Sequence, residues 1–402
     1  MSFDKSFSPV LRFAVMSDIH IDDEDCIEEQ RLEKALRDLK RICGDDSRYD
    51  GFDALVIVGD FASRGTAIQM NKVKKILDSE LPADKRLIMT MASHEFMSDG
   101  EEYALKRFEE IFSLTPDTHA VINGFHFIAV TTTNGCHFDG GKREFIAREL
   151  KAAAKDTGKK PIFFFQHPHI TDTVYGSMNW GEDEITDILM NYPQTVDFSG
   201  HSHAPINDPR SVHQRHFSAF GTGTLSYFEL DEFDKAHGTV PPEDDRAAQF
   251  LIVEADEQGR VRVYPYDVLS GSFFPYTWEI DEPWNPDTFK YTDSRYVTSE
   301  RPRFDSVQIS IDDITADSCS VTFAQATGNE RPDSYDIYFI ADDGLIKRHL
   351  NITSRYYLYD MPQTLTEQVS GLESGTDYTV KIVANSFWRT KSEPVTARMR
   401  TK

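Results

Sequence analysis

The 402-residue chain is predicted to fold as a layered α/β domain followed by a small all-β sandwich. Three observations carry this. Strand and helix patterns alternate from the N-terminus to Ser199. Strand patterns then dominate to about Tyr276. Beyond a proline-bracketed polar stretch, short strand patterns recur at regular spacing and the helical period is absent.

Arg12–Met16 is a short apolar strand. Leu32, Leu36, Leu39 and Cys43 recur at helical spacing, with Gly44 suited to the helix end. Ala54–Val58 is a strand, followed by a helix around Val73, Ile76 and Leu77. Arg86–Met91 is the next strand, and Tyr103, Phe108, Ile111 and Phe112 mark another helix. Val121–Val130 is a hairpin turning at Asn123-Gly124. A helix over Lys142–Asp156, a strand over Pro161–Phe165, a helix over Glu182–Asn191 and a strand over Thr195–Ser199 complete the alternation. Strand-like runs follow at Val212–Phe217, Leu225–Leu230, Phe250–Glu254 and Val261–Tyr266.

Pro283, Pro286 and Pro302 bracket a polar stretch read as a linker over 281–303, which sets domains at 8–280 and 304–402. The second domain has strand patterns at Val307–Ile311, Ser320–Phe323, Tyr335–Ala341, Tyr356–Tyr359, Tyr378–Ala384 and Val395–Met399. Many short strands in roughly 100 residues predict a sandwich. The run from Leu372 through Tyr378 to Ala384 resembles the tyrosine-corner strand of fibronectin type III domains. The resemblance implies that Leu372 closes the core and that Tyr378 bonds back to the main chain. The sequence leaves the partner of this domain unknown.

Acidic residues outnumber basic ones 67 to 43, a formal net charge of −24. Such a field repels polyanions, which argues against nucleic acid and anionic membrane surfaces as partners. A small phosphorylated substrate stays compatible, because a bound metal reverses the sign locally. The four cysteines, Cys26, Cys43, Cys136 and Cys319, form no CxxC pair and no disulfide pattern. The N-terminus lacks a basic start followed by a long apolar run, and no apolar stretch approaches the ~20 residues that span a bilayer. A cytoplasmic location is expected.

Short chemical signals follow the strands in order: Asp18-x-His20, Gly59-Asp60, His94-Glu95, His167-Pro168 and Gly200-His201-x-His203. Each begins where an apolar strand ends, the edge at which open α/β sheets bind ligands. Asp and His supply the hard oxygen and imidazole nitrogen that a divalent metal prefers. The period-2 geometry of a strand end aims both members of Asp18-x-His20, and of His201-x-His203, the same way. Asp60 has two oxygens with which to bridge two ions. The lack of thiolates favours an open, catalytic site over a structural zinc site. Each signal alone is weak, and their ordered conjunction carries the reading.

This order resembles the signature of calcineurin-like metallophosphoesterases, from Asp18 to His203. The resemblance implies a four-layered α/β/β/α sandwich and a dinuclear centre. By position, Asp18, His20, Asp60 and His203 would hold one ion, and Asp60, His167 and His201 the other. His94 would be the catalytic residue, a phosphate contact or proton donor and not a ligand. The chain departs from the family at Ala92-Ser93, where Gly-Asn is usual. The Asn normally completes the second ion's shell, and Ser93 is a shorter, poorer ligand. If the family glycine uses φ > 0, Ala92 also adds strain of roughly 1–2 kcal/mol.

The expected reaction is phosphoester hydrolysis by two ions (Mn, Fe or Zn) about 3.5–4 Å apart that share a bridging hydroxide. A phosphodiesterase, including a cyclic-nucleotide one, is an alternative to a monoesterase. A non-catalytic binding protein with a degraded second metal site is the alternative from another class. Asp22, Asp23, Glu24 and Asp25 read as a solvated loop in preference to a further metal site, and Arg64 as a partner in an exposed salt bridge in preference to a phosphate contact. His169 reads as a loop residue near the ligands. Tyr175, Asn179 and Trp180 lie in a loop at the ligand-binding edge, facing substrate or packing. His119, His126, His137, His213, His216, His237 and His349 lack ligand spacing and read as structural or surface.

Overall fold

A computed structural model describes residues 3–230 and 239–402. The chain divides into two compact units, Met1–Thr292 and Asp293–Lys402.

The strands of the first unit are β1 (Leu11–Met16), β2 (Ala54–Val58), β3 (Arg86–Thr90), β4 (Thr118–Ile122), β5 (Phe125–Ala129), β6 (Ile162–Phe165), β7 (His169–Ile170), β8 (Gly181–Glu182), β9 (Thr195–Ser199), β10 (Val212–Gln214), β11 (Ser218–Gly221), β12 (Gln249–Ala255), β13 (Val261–Asp267), β14 (Ser272–Phe273) and β15 (Trp278–Ile280). The long helices are α1 (Ile27–Gly44), α2 (Ala67–Glu80), α3 (Glu101–Phe112) and α4 (Gly140–Asp156). One sheet has the order β14-β13-β12-β1-β2-β3, with β15 also paired to β13, and the other β10-β11-β9-β6-β5-β4. In the first sheet β1, β2 and β3 are parallel. In the second β5, β6, β9 and β11 are parallel. Each set therefore ends along one sheet edge.

The strands that carry the site are apolar on both faces because both faces are covered. On β1, Phe13 points between the sheets, its ring 4.9 Å from Phe127 and 4.8 Å from Phe163. Its neighbours Ala14 and Met16 join Leu36, Leu39, Val73 and Phe108 under the helices α1 to α3. On the far side Phe164 and Ala219 pack with Ile146 and Leu150 of α4. The result is the expected α/β/β/α layering. Among the described residues no helix is long and apolar enough to cross a membrane.

Two expected strands are not strands. Leu225–Leu230 forms no continuous ladder, only a bridge from Leu230 to Thr239, and two of its N–H groups turn to the site. Leu225 N–H donates to the Asp18 carbonyl at 3.2 Å and Glu229 N–H to the His203 carbonyl at 3.3 Å. Tyr356–Tyr359 is a turn, because Arg331 holds the Tyr356, Leu358 and Tyr359 carbonyls at 2.7, 2.6 and 2.9 Å. The helix expected over Glu182–Asn191 is reduced to Thr186–Leu189.

The second unit has β16 (Ile309–Asp312), β17 (Ser318–Ala324), β18 (Ser334–Ala341), β19 (Ile346–Thr353), β20 (Thr364–Ser370), β21 (Asp377–Asn385) and β22 (Val395–Arg400). Sheets β16-β17-β20 and β19-β18-β21-β22 form an antiparallel sandwich that resembles fibronectin type III domains. The Tyr378 phenol oxygen accepts from Glu373 N–H at 2.9 Å, and Leu372 is buried in the core.

The stretch 281–303 is shared between the units. Tyr291 pairs with Gln214 of β10, its carbonyl accepting Gln214 N–H at 2.9 Å and its N–H reaching Gln214 Oε1 at 3.1 Å. Arg295 instead stacks on Trp388 at 4.2 Å, within the sandwich unit.

Candidate metal centre

The C-terminal ends of β1, β2, β3, β6 and β9 deliver Asp18 and His20, Asp60, His94, His167, and His201 with His203 to one place. Three groups have ligand atoms within 4.8 Å of one another: Asp18, His20 and His203; His20, Asp60 and His94; and Asp60, His167 and His201. His20 and Asp60 each belong to two groups. His167 Nε2 lies 3.0 Å from Asp60 Oδ2 and 3.7 Å from Asp18 Oδ1. His203 Nε2 lies 3.4 Å from Asp18 Oδ1 and 3.0 Å from His20 Nε2.

The chain turns sharply to do this. Asp18, His20, Asp60, His201 and His203 have φ of 50, 55, 48, 74 and 51°. Non-glycine residues enter that left-handed region at a cost, and such residues cluster at functional sites. The glycines of the motifs give the room. A Cβ on Gly59 would meet His167 Nδ1 at 2.7 Å, and one on Gly200 would run into Asp18 Oδ2.

Main-chain carbonyls set the imidazoles. His167 Nδ1–H donates to the Val58 carbonyl at 2.7 Å and His203 Nδ1–H to the Tyr227 carbonyl at 2.9 Å. These partners assign the protons to Nδ1 and leave Nε2 of each ring as a lone pair facing the centre. His167 Nε2 is a buried nitrogen without a hydrogen bond. Asp18 and Asp60 are buried and have no Lys or Arg partner among the described residues. Facing lone pairs and buried carboxylates with no cationic side chain fit metal ions.

Burial holds His20 well below its ordinary range and His201 down to about 3, so both rings are neutral. Burial also opposes charge on His167, but Asp60 and Asp18 outweigh it and push that ring up to about 10, so a metal ion at Nε2 would bind in competition with a proton there. Burial raises Asp18. For Asp60 burial acts the same way, and the neighbouring His167 charge outweighs it, holding it well below the usual carboxylate range.

His94 stands at the rim, half-buried. Its N–H donates to Asp60 Oδ1 at 3.0 Å and its Nδ1 meets the Ser63 carbonyl at 2.8 Å. Its ring lies 4.4 Å from that of His20. Ser93 is half-buried, and its hydroxyl makes no hydrogen bond among the described residues. Ala92 is not in the left-handed region, so the strain considered for an alanine there is absent.

Several supports escaped sequence reasoning. Buried Glu95 ties β2 to β3, accepting N–H groups of Asp60 at 3.0 Å, Ala62 at 3.0 Å and Ala92 at 2.9 Å. Its position beside His94 was the available signal. Tyr227 gave none. Its ring packs 4.3 Å from His203, and burial, then Glu229, Asp18, Asp60 and Asp244, push its phenol up to about 12.

The other candidates disperse. His169 is buried between the Ser199 and Ser202 hydroxyls at 2.8 and 2.7 Å, bracing the histidine loop. Trp180 packs edge-on to His201 at 5.1 Å, and Tyr175 lies under Arg210 at 3.9 Å. Asp22 to Asp25 are exposed, with Asp23 accepting from Thr66 at 2.6 Å. Arg64 is exposed and forms no salt bridge among the described residues. His119 and His126 pair at 2.8 Å, away from the ligands. His137 sits 3.7 Å from Glu182 and 3.4 Å from Glu184 in a half-exposed group. His213 is buried in β10, His216 is exposed, and His349 pairs with Asp336 at 2.9 Å. His237 lies outside the described residues.

No curated protein matches the sequence. Among solved structures, purple acid phosphatase from yellow lupin (Lupinus luteus) seeds aligns with 13% identity and a TM-score of 0.49, covering 70% of this chain and 55% of that one. A two-domain fibronectin type III segment of chicken tenascin aligns with 17% identity and a TM-score of 0.20, covering 39% of this chain and 67% of that one. Residues 11–205, which include every proposed ligand, match the family described as calcineurin-like phosphoesterase. Over these residues, just under half of the chain, the sequence is similar to that family, and the chain spans about half the length of the purple acid phosphatase it aligns with.

Proposed function

We propose that the protein hydrolyses a small phosphorylated substrate at a dinuclear centre. Asp18, His20, Asp60 and His203 hold one ion in this reading, and Asp60, His167 and His201 the other. Ser93, at the position of the family's Asn, would offer the second ion only a short hydroxyl. Manganese, iron and zinc all suit these oxygen and imidazole ligands. Two ions so held would supply Lewis acidity toward the phosphoryl group and a hydroxide nucleophile at neutral pH.

The chain's own residues do the rest. The Val58 and Tyr227 carbonyls fix the tautomers of His167 and His203. His94, anchored through Nδ1 on Ser63, keeps Nε2 for the substrate. In its imidazolium form Nε2 gives its proton to the leaving oxygen as the bond to phosphorus breaks.

The observation that carries the reading is the convergence of the three ligand groups, with Asp60 common to two, at the ends of parallel strands. The test is metal analysis of the purified protein with an aryl-phosphate assay before and after chelation. We expect more than one equivalent of bound metal, and turnover that chelation abolishes and added metal restores. Full turnover in thoroughly chelated protein would sink the proposal.

A further inference from the structure

Tyr227 stands in the segment after β11, at the sheet edge that carries the ligands. Its placement is fixed from three sides. Buried Arg31 of α1 donates to the Leu225 carbonyl at 3.1 Å and also to the Ser226 carbonyl. Ser226 N–H donates to the Thr224 hydroxyl at 2.9 Å. The Tyr227 carbonyl accepts His203 Nδ1–H, and its ring lies 4.3 Å from His203 and 6.1 Å from His20. The half-buried ring thus rests on two of the proposed ligands. Its phenol oxygen has no hydrogen-bond partner among the described residues, yet it is not one of the buried unpaired oxygens, so solvent reaches it. A held ring with a free hydroxyl beside a metal centre is a donor without its acceptor.

We propose that Tyr227 contacts substrate: its phenol O–H donates a hydrogen bond to a non-bridging phosphoryl oxygen at this centre. The inference rests on the phosphoesterase reading of the site. An ordinary phenol keeps its proton to about pH 10, so this donor works throughout the neutral range. Tyr227 would hold the charged phosphoryl group, and His94 would serve the leaving oxygen.

Tyr227→Phe keeps the ring on His203 and His20 and the carbonyl on His203 Nδ1, and removes only the hydroxyl. The experiment loads full-length wild type and variant with Mn²⁺. It measures bound metal, the affinity for inorganic phosphate by calorimetry, and kcat and KM on an aryl phosphate. We expect equal metal content, phosphate bound about 10–100-fold more weakly by the variant, and a comparable fall in kcat/KM, as for a hydrogen bond to a charged group. Equal phosphate affinity in both proteins overturns the proposal. So does a wild type that binds no phosphate, or a variant that loses metal while its remaining centres bind phosphate normally, since Tyr227 would then only orient His203. A wild type that binds phosphate through Tyr227 but turns over no ester sinks the hydrolase reading and leaves this contact standing.

Discussion

Asp60 meets His94 N–H through Oδ1 at 3.0 Å and His167 Nε2 through Oδ2 at 3.0 Å. One carboxylate therefore belongs to two of the groups that could hold an ion. Asp60→Asn keeps the shape and removes the charge, so bound metal and turnover should fall together in parallel metal analysis and assay. Turnover lost at full metal content would place Asp60 in another role. His94→Ala should do the reverse, keeping metal and lowering kcat by about 10²–10⁴-fold, as for a lost general acid. That loss should shrink on aryl phosphates with good leaving groups. Loss of metal in this variant would make His94 a ligand. That these side chains meet was legible in the sequence, because metal chemistry admits few residue types and strand ends fix their places. Tyr227 was not, because its visible tie to His203 runs through a main-chain carbonyl that any residue has. Asp197 was equally silent. It is buried on β9 with Oδ2 unpaired and the Gln166 amide 3.4 Å from Oδ1, and burial pushes its carboxyl up to about 8. The unfolded chain sheds this proton near pH 3.9 and the folded chain only near 8, so in between the folded state binds more protons and loses stability as pH rises. Asp197→Asn should therefore gain on wild type in Tm progressively from about pH 4 to about pH 8, with a level difference beyond. Parallel melting profiles would show that Asp197 is ionised in the fold.

At the scale of elements, the parallel strands were readable as apolar runs, and the turns after them were readable only as motifs. The reason for the glycines appears in space. Gly200 follows β9 where the His201 N–H meets both Asp18 oxygens at 3.2 Å. A methyl group there would sit 2.6 Å from Ser17 Oγ as well as against Asp18. Both neighbours lie on the end of β1, so Gly200→Ala pushes the two sheet edges apart where the ligands meet. The expected outcome is a folded protein with ordinary far-ultraviolet circular dichroism, weakened metal binding and lower turnover at limiting metal. Unchanged metal affinity would show that the β1 end yields without cost. Leu225–Leu230 shows the limit of pattern reading. It has the composition of a strand, but Leu225 and Glu229 bond to the Asp18 and His203 loops, contacts distant in sequence that no local period encodes.

At the scale of the whole molecule, the alternation of elements announced the α/β unit and the regular short strands announced the sandwich. The allocation of the stretch between them was not legible. Prolines and polar residues mark a linker by composition, whereas docking is set by single contacts. Lys290 N–H and Tyr291 N–H both reach Gln214 Oε1, at 2.8 and 3.1 Å, and Glu279 N–H donates to the Tyr291 phenol oxygen at 2.8 Å. Trp284 lies under the Lys159 ammonium at 3.9 Å. Residues up to Thr292 thus finish the first unit, covering β10 and β15, while every proposed ligand lies before residue 204. Two truncations separate these features. A chain ending at Thr292 keeps the Gln214 and Glu279 partners and should fold, bind metal and retain most of the full-length kcat on a small aryl phosphate. A chain ending at Ile280 leaves buried Gln214 without the Lys290 and Tyr291 N–H groups. An unmet buried polar group costs about 1–3 kcal/mol, so this shorter chain should melt several degrees lower, with its metal ligands still in place. The measurements are thermal melts and kcat for the two truncations beside the full chain. Equal melting temperatures would show that the segment from Asp281 to Thr292 contributes nothing to the fold. A Thr292 truncation that folds and binds metal but is inactive would mean that the sandwich unit takes part in catalysis.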